Sequence, residues 1–159
     1  GELWPTVNIV MITWALLIFA PRWKWTPTLT LIPIVYFSFV YAASVVSLLF
    51  LSAGDDGEKA PEVDMTTFEG VVALFQDPNV VFFGWIHYCA FDPLVGRMIV
   101  FDSVERGAST LFHIVAMVPC VVLTLFVGPT GWLLYMILRQ VFLPVVKQQE
   151  GSSYKAKPL

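Results

Sequence analysis

Charge is what this sequence has least of. Asp, Glu, Lys and Arg make up only 13% of its 159 residues, about half the share of an ordinary soluble domain. The net charge of −3 is too small to imply a nucleic-acid partner. Cysteine is scarce too: Cys89 and Cys120 both lie in apolar stretches and read as small buried hydrophobes, not as a disulfide or redox pair. His87 and His113 are the only histidines, which excludes a multi-histidine di-metal centre by number alone. A phosphate loop, a dinucleotide fingerprint, a nucleophile elbow and a paired-histidine metal motif are all missing, so no metal site of its own is expected. No internal repeat is present. The chain does not begin with Met, so the expectation is a processed or trimmed chain whose targeting peptide is already gone.

Apolar residues fill the space. Hydrophobic residues make up 57% and aromatic residues 15%, and the mean hydropathy is +0.74. This predicts an all-α polytopic membrane bundle, with residues 1–146 as a single helical domain and 147–159 as a polar C-terminal tail. Apolar length predicts four transmembrane helices, at 6–20, 28–52, 79–101 and 108–127. Two short surface helices are predicted near 66–76 and 131–146, the second interfacial or half-inserted because Arg139 and Gln140 interrupt it. Arg22-Trp23-Lys24-Trp25 reads as an interface anchor. Ser38, Ala42, Ala43 and Ser47 have the spacing of close helix packing. Residues 54–62 form an acidic loop, Thr66 with Glu69 a capping box, and 102–107 a tight polar turn. With four crossings, Arg22, Lys24, Arg97 and Arg106 share one side, opposite the acidic loop, although the lysines of the tail fall on the acidic side.

Candidate chemistry concentrates in 79–101, which rises roughly 35 Å as a helix and carries His87, Asp92 and Arg97 within apolar sequence. Ionisable groups are costly in lipid and mark function there. Gly84, Tyr88, Asp92 and Gly96 recur every fourth residue on one face, so a neighbouring backbone or a flat ligand can come close. His87 points about 140° away from Asp92 on a straight helix, so the two are not a ready-made acid–base pair. Pro93 is expected to bend the helix and bring Asp92 and Arg97 closer. His87 has three readings: an interhelical hydrogen bond, an axial ligand to a porphyrin-type magnesium, or an acid–base group. His113 divides similarly, and matching heights across the next hairpin would let it meet Asp92 or Arg97. Asp92 and Arg97 are either an ion pair that locks the bent helix or a site that polarises an oxygenated, lipid-like substrate.

Trp85-Ile86-His87-Tyr88, then Phe91-Asp92 and Gly96-Arg97, resemble the signature of the abscisic-acid-deficient-four-like family. Trp4-Pro5, Ala20-Pro21 with Trp23, Ile32-Pro33, and Gly128-Pro129 with Gly131, Tyr135 and Arg139 are similar in order and spacing, so the resemblance covers nearly the whole chain. It implies an integral thylakoid or plastid-envelope protein of the chloroplast, in a family whose plant members are required for making neoxanthin from violaxanthin. Algal relatives are expected as pigment-binding subunits of photosystem–antenna complexes. Two functions follow. One is a pigment-binding, structural subunit in the thylakoid membrane, holding chlorophyll or carotenoid (xanthophyll) through His87, His113, Gly84, Tyr88 and Gly96. Its partners would be lipids, pigments and photosystem or light-harvesting subunits. The other is an enzyme, a carotenoid epoxide isomerase using Asp92, His87, His113 or Arg97. The residues leave the choice open.

Overall fold

The computed structural model describes residues 4–47 and 64–143. The acidic loop at 54–62 and the polar tail lie outside them. Among the described residues every regular element is helical. A 3-10 helix (Trp4–Ile9) leads into α1 (Val10–Phe19), followed by α2 (Thr26–Leu29) and α3 (Leu31–Val46). Then come α4 (Phe68–Leu74), α5 (Pro78–Glu105), α6 (Thr110–Phe112), a π-helical turn (His113–Met117), α7 (Val118–Val127) and α8 (Pro129–Phe142).

The all-helical expectation stands, but four crossings do not. Among the described residues, only 26–46 (α2–α3) and 110–127 (α6–α7) are long and apolar enough to cross a bilayer. The apolar helix Thr6–Phe19 is too short. α5 has length to spare, but His87, Asp92, Arg97 and Asp102 dilute its apolar sequence.

α5 is the axis of the bundle. α3 packs along it most extensively, and α1, α7 and α8 also lie against it. The core joins Trp14 and Leu17 of α1, Phe37 of α3, Ile86, Ile99 and Val100 of α5, Met117, Cys120 and Val121, and Tyr135 of α8. Cys89 and Cys120 are both free and buried. Large apolar side chains also cover the outside: Phe19 is 83% exposed and Phe126 79%. The polar groups Thr13, Thr26, Thr30, Ser103, His113 and Thr124 are inside. Water would punish this inside-out distribution; lipid accepts it.

The hydroxyls are satisfied within the bundle. Thr26 Oγ1 donates to Ala20 O (2.6 Å), Thr30 Oγ1 to Thr26 O (2.6 Å) and Thr13 Oγ1 to Thr30 O (3.3 Å). They stitch α1 to the start of α3.

Several local expectations are corrected. The capping box does not form: Thr67 alone caps α4, accepting from Gly70 N at 3.2 Å, while Thr66 bonds to Asp64. Asp77 does not merely end the surface segment. Its carboxylate accepts from Asn79 N at 2.7 Å and caps α5, with Pro78 at the first helical position. The polar turn at 102–107 is mostly helix, because α5 runs on to Glu105 and stops at Gly107, whose φ is +77°. Ser38, Ala42, Ala43 and Ser47 face outward, while α3 packs through Pro33, Ile34 and Phe37. Of the two glycines expected at a close contact, Gly96 makes one, against Trp14. Gly84 does not: a Cβ there would find only Phe75 Cε1, at 3.8 Å.

The π turn has a cause in the sequence. Pro119 has no N–H to offer, and its ring would crowd the carbonyl four residues back. Widening the preceding turn, so that Val118 N–H reaches the His113 carbonyl, makes room for the ring.

Candidate functional site

The expected site residues do not gather in one place. Tyr88 and Asp92 line a groove of about 570 Å³ with Trp85 and Cys89. Asn8, Met11 and Trp14 form its opposite wall, and the Gly128–Pro129 turn between α7 and α8 closes one side. Among the described residues, Asp92 is the one charged residue that lines it. Its carboxyl accepts no hydrogen bond among the described residues, and a Cβ built on Gly128 would lie 3.5 Å from Asp92 Oδ1. Gly128 has φ +50°, so glycine suits this turn on conformational grounds as well.

His87 lies outside the groove. Its ring stacks on Phe91 (centroids 4.6 Å apart, 13° between planes) and meets Tyr41 of α3 edge-on at 5.3 Å. This is an aromatic packing role between α5 and α3, in place of an interhelical hydrogen bond. Gly84 lies near α4 and Gly96 beneath Trp14, and neither lines the groove.

Arg97 and Asp92 do not pair. α5 continues unbroken through Pro93. Arg97 reaches instead to α2 and α3, donating to Pro27 O at 2.6 Å and to Thr30 Oγ1, with its guanidinium over Phe101 at 4.9 Å. The Pro27 carbonyl of α2 and the Thr30 hydroxyl before α3 supply its acceptors. His113 meets neither Asp92 nor Arg97. Its Nε2 lies 3.1 Å from Ile18 O at the end of α1. Its Nδ1 is buried without a hydrogen bond among the described residues. Neither ring nitrogen therefore opens onto a cavity: one lies on a carbonyl and the other is enclosed by the bundle.

A third polar centre escaped the sequence reading. Asp102, near the end of α5, accepts from Arg106 Nε at 2.8 Å and from the Tyr135 hydroxyl of α8, with Arg139 Nε at 3.4 Å. The i, i+4 spacing of Asp102 and Arg106 was the available signal; Tyr135 and Arg139 come from a helix far along the chain. Burial raises the Asp102 carboxyl, but the hydrogen bonds from Arg106 and Tyr135 and the charges of Arg106 and Arg139 outweigh it and hold it below its ordinary value of 3.8. A carboxylate depressed on folding supports the fold above its unfolded pKa, and that support is lost as pH falls through the lower, folded value. The link between α5 and α8 should therefore be unaffected at pH 5–7 and weaken only below about pH 4. Asp102→Asn should lower unfolding stability by about 2 kcal/mol at neutral pH and remove that acid transition. Detergent-solubilised protein titrated by near-ultraviolet circular dichroism would check both, and an unchanged acid transition in the variant would refute the assignment.

No curated protein and no solved structure matches the chain. The sequence model of the ABA DEFICIENT 4-like family matches residues 3–135, a stretch that carries both the groove and the Asp102 cluster as far as Tyr135, and the chain belongs to that family.

Proposed function

We propose that this is an integral thylakoid membrane protein that holds an oxygenated carotenoid in the Asp92 groove and serves as a pigment-binding subunit of a photosystem–antenna assembly. The observation that carries the reading is Asp92 itself, a carboxyl with no hydrogen-bond partner among the described residues, at the foot of an aromatic-walled groove. Such a pocket suits a ligand that is apolar along its length and bears one oxygen at its end. Trp85, Tyr88 and Trp14 would flank the end ring, and the carboxyl or its acid form would bond the oxygen. Chlorophyll, if it is held too, would have only His87 of the two histidines as a ligand.

Depth supports this. Arg97 meets α2 and α3 at Pro27 and Thr30, and His87 meets α3 at Tyr41. Asp92 lies between these levels, alongside the middle of the apolar stretch 26–46. With that stretch crossing a bilayer, the helix break at Gly128–Pro129 beside Asp92 also lies within the lipid thickness. Irregular backbone at that depth is tolerated where it is buried in protein or lines a cavity, and interrupted helices tend to frame binding sites.

The unpaired carboxyl also favours a second reading, carotenoid epoxide isomerisation. Protonated Asp92 would hand its proton to the epoxide oxygen as the ring C–O bond opens. The carboxylate would then take a proton from the polyene chain, so that the isomerisation is balanced and consumes none. His113 and Arg97, both occupied elsewhere, drop out of this scheme.

Met11, half exposed on the groove wall, allows a test. Met11→Trp should fill the groove and remove most of the carotenoid from protein that still accumulates. Asp92→Asn should retain the pigment, and the native protein should co-migrate with chlorophyll-rich particles in mild detergent. Carotenoid content unchanged in Met11→Trp would refute the groove. A well-folded Asp92→Asn protein that keeps its pigment but loses violaxanthin conversion shown by the native protein would replace the subunit reading with the enzyme.

A further inference from the structure

The charges of the bundle are sorted by end. Arg22 donates to Ala108 O, Arg97 to Pro27 O, and Arg106 and Arg139 gather on Asp102. These contacts bring the α1–α2 connection, the end of α5, the start of α6 and the latter half of α8 to one end. Among the described residues, five cations stand there (Arg22, Lys24, Arg97, Arg106 and Arg139) against two acids, Asp102 and Glu105. The other end, from Asp64 through α4 to the start of α5, carries Asp64, Glu69 and Asp77 with no Lys or Arg in that stretch.

Between α5 and α8 at the cationic end lies a cleft of about 420 Å³. Arg97, Arg139, Asp102 and Glu105 line it together with the apolar side chains of Leu94, Met98, Trp132 and Met136. Its cations are incompletely matched. One oxygen, Asp102 Oδ2, serves Arg106, Tyr135 and Arg139 at once. Arg139 is the most distant of the three, and its other contact is the Met136 sulfur, 3.7 Å from Nη1. A guanidinium has five N–H donors, so most of those on Arg139 remain available. Arg97 has only neutral partners: a carbonyl, a hydroxyl and a ring.

We propose that this cleft binds one anionic lipid, with a monoanionic headgroup on Arg97 and Arg139 and an acyl chain along Leu94, Met98 and Met136. Arg97 meets only neutral partners and Arg139 keeps donors to spare, and a guanidinium fork matches the oxygens of a phosphate diester. The apolar flank distinguishes a lipid from a free anion: Met98 is 58% exposed and Trp132 42%, so a chain lying there covers surface that a soluble ion would leave bare.

The test uses the full chain in neutral detergent, with its unfolding midpoint measured against added phosphatidylglycerol, phosphatidylcholine of the same chains, and inorganic phosphate. Phosphatidylglycerol should raise the midpoint and saturate at about one lipid per protein, while the other two leave it unmoved. Arg139→Gln should weaken phosphatidylglycerol binding about fivefold, the effect of one basic group near an anionic surface. Glu105→Gln, at an exposed position that folding does not depend on, should strengthen it by a similar factor. Lys24→Gln, at the same end but outside the cleft, should change nothing. Equal stabilisation by phosphatidylcholine would show general lipid solvation, and equal stabilisation by phosphate a free-anion site. Either result overturns the proposal, as does an unchanged affinity in Glu105→Gln.

Discussion

Gly131→Ala should disassemble the α7–α8 hairpin. A Cβ at position 131 would collide with the Cys120 carbonyl oxygen, the Thr124 hydroxyl and the Thr124 backbone nitrogen. Two of these are backbone atoms of a regular helix, and the third is held by its own bond to Cys120 O at 2.9 Å. None can swing aside, so the helices must part. Inserting one methylene into a packed core costs about 1–3 kcal/mol when side chains can adjust; here the upper end is the minimum. The damage travels, because the same helix brings Tyr135 and Arg139 to Asp102. The variant should lose at least about 3 kcal/mol and shed its acid transition as well. Gly84→Ala is the matched control: its Cβ would meet only Phe75 at ordinary contact distance, and the gain in helix propensity is up to about 1 kcal/mol. Denaturant unfolding in detergent micelles reads both. Equal stability of the two variants would show that the helix contact is looser than described.

The second large effect is at Gly96, where a Cβ would stand 2.7 Å from Trp14 Cζ3 and 3.2 Å from Cη2. Trp14 is only 2% exposed, so its indole has nowhere to turn. Gly96→Ala should cost about 2 kcal/mol by overpacking, and Trp14→Leu alone about 3 kcal/mol by leaving a cavity. The clash is with the outer edge of the indole, which leucine lacks. The double variant should therefore be more stable than the sum of the two losses predicts, by at least about 1 kcal/mol. Strict additivity would mean that α1 and α5 do not touch through this pair. Trp14 also walls the Asp92 groove, so Gly96→Ala should lower carotenoid retention as well, though the residue does not itself line the site.

What could be read from the sequence was largely local. Proline and glycine punctuation placed the helices well: Pro78 opens α5, Gly107 closes the turn after it, and Gly128 separates α7 from α8. The shared face of Tyr88 and Asp92 follows from helical spacing, and both line the groove. Partner choice was less accessible. Arg97 bonds to residues about seventy positions earlier, and Tyr135 to one thirty-three earlier; periodicity carries no information at that range. The outward face of Ser38, Ala42, Ala43 and Ser47 was misjudged for a related reason. Small size permits close approach but does not say which side of the helix a neighbour occupies, and Ile34 and Phe37 had more area to bury. Apolar length was treated as sufficient for a crossing, yet the helix with the most internal contacts, α5, is the one whose apolar run is interrupted. Its charged groups depend on the helices around it.

The break at Gly128–Pro129 bears on how the chain enters a membrane. α8 has only the fourteen residues Pro129–Phe142, about 21 Å of rise, and Arg139 near its end. Such a segment is a poor candidate to insert alone. The Gly128 peptide, turned out of helical geometry, would meet hydrocarbon with nothing beside it. Once α5 is in place, the wall around Asp92 covers that turn, and Asp102 waits for Arg139 at the other end of the segment. The hairpin is therefore expected to close late, with α8 folding back only after α5 is in place; protection of α8 from labelling should lag behind that of α5.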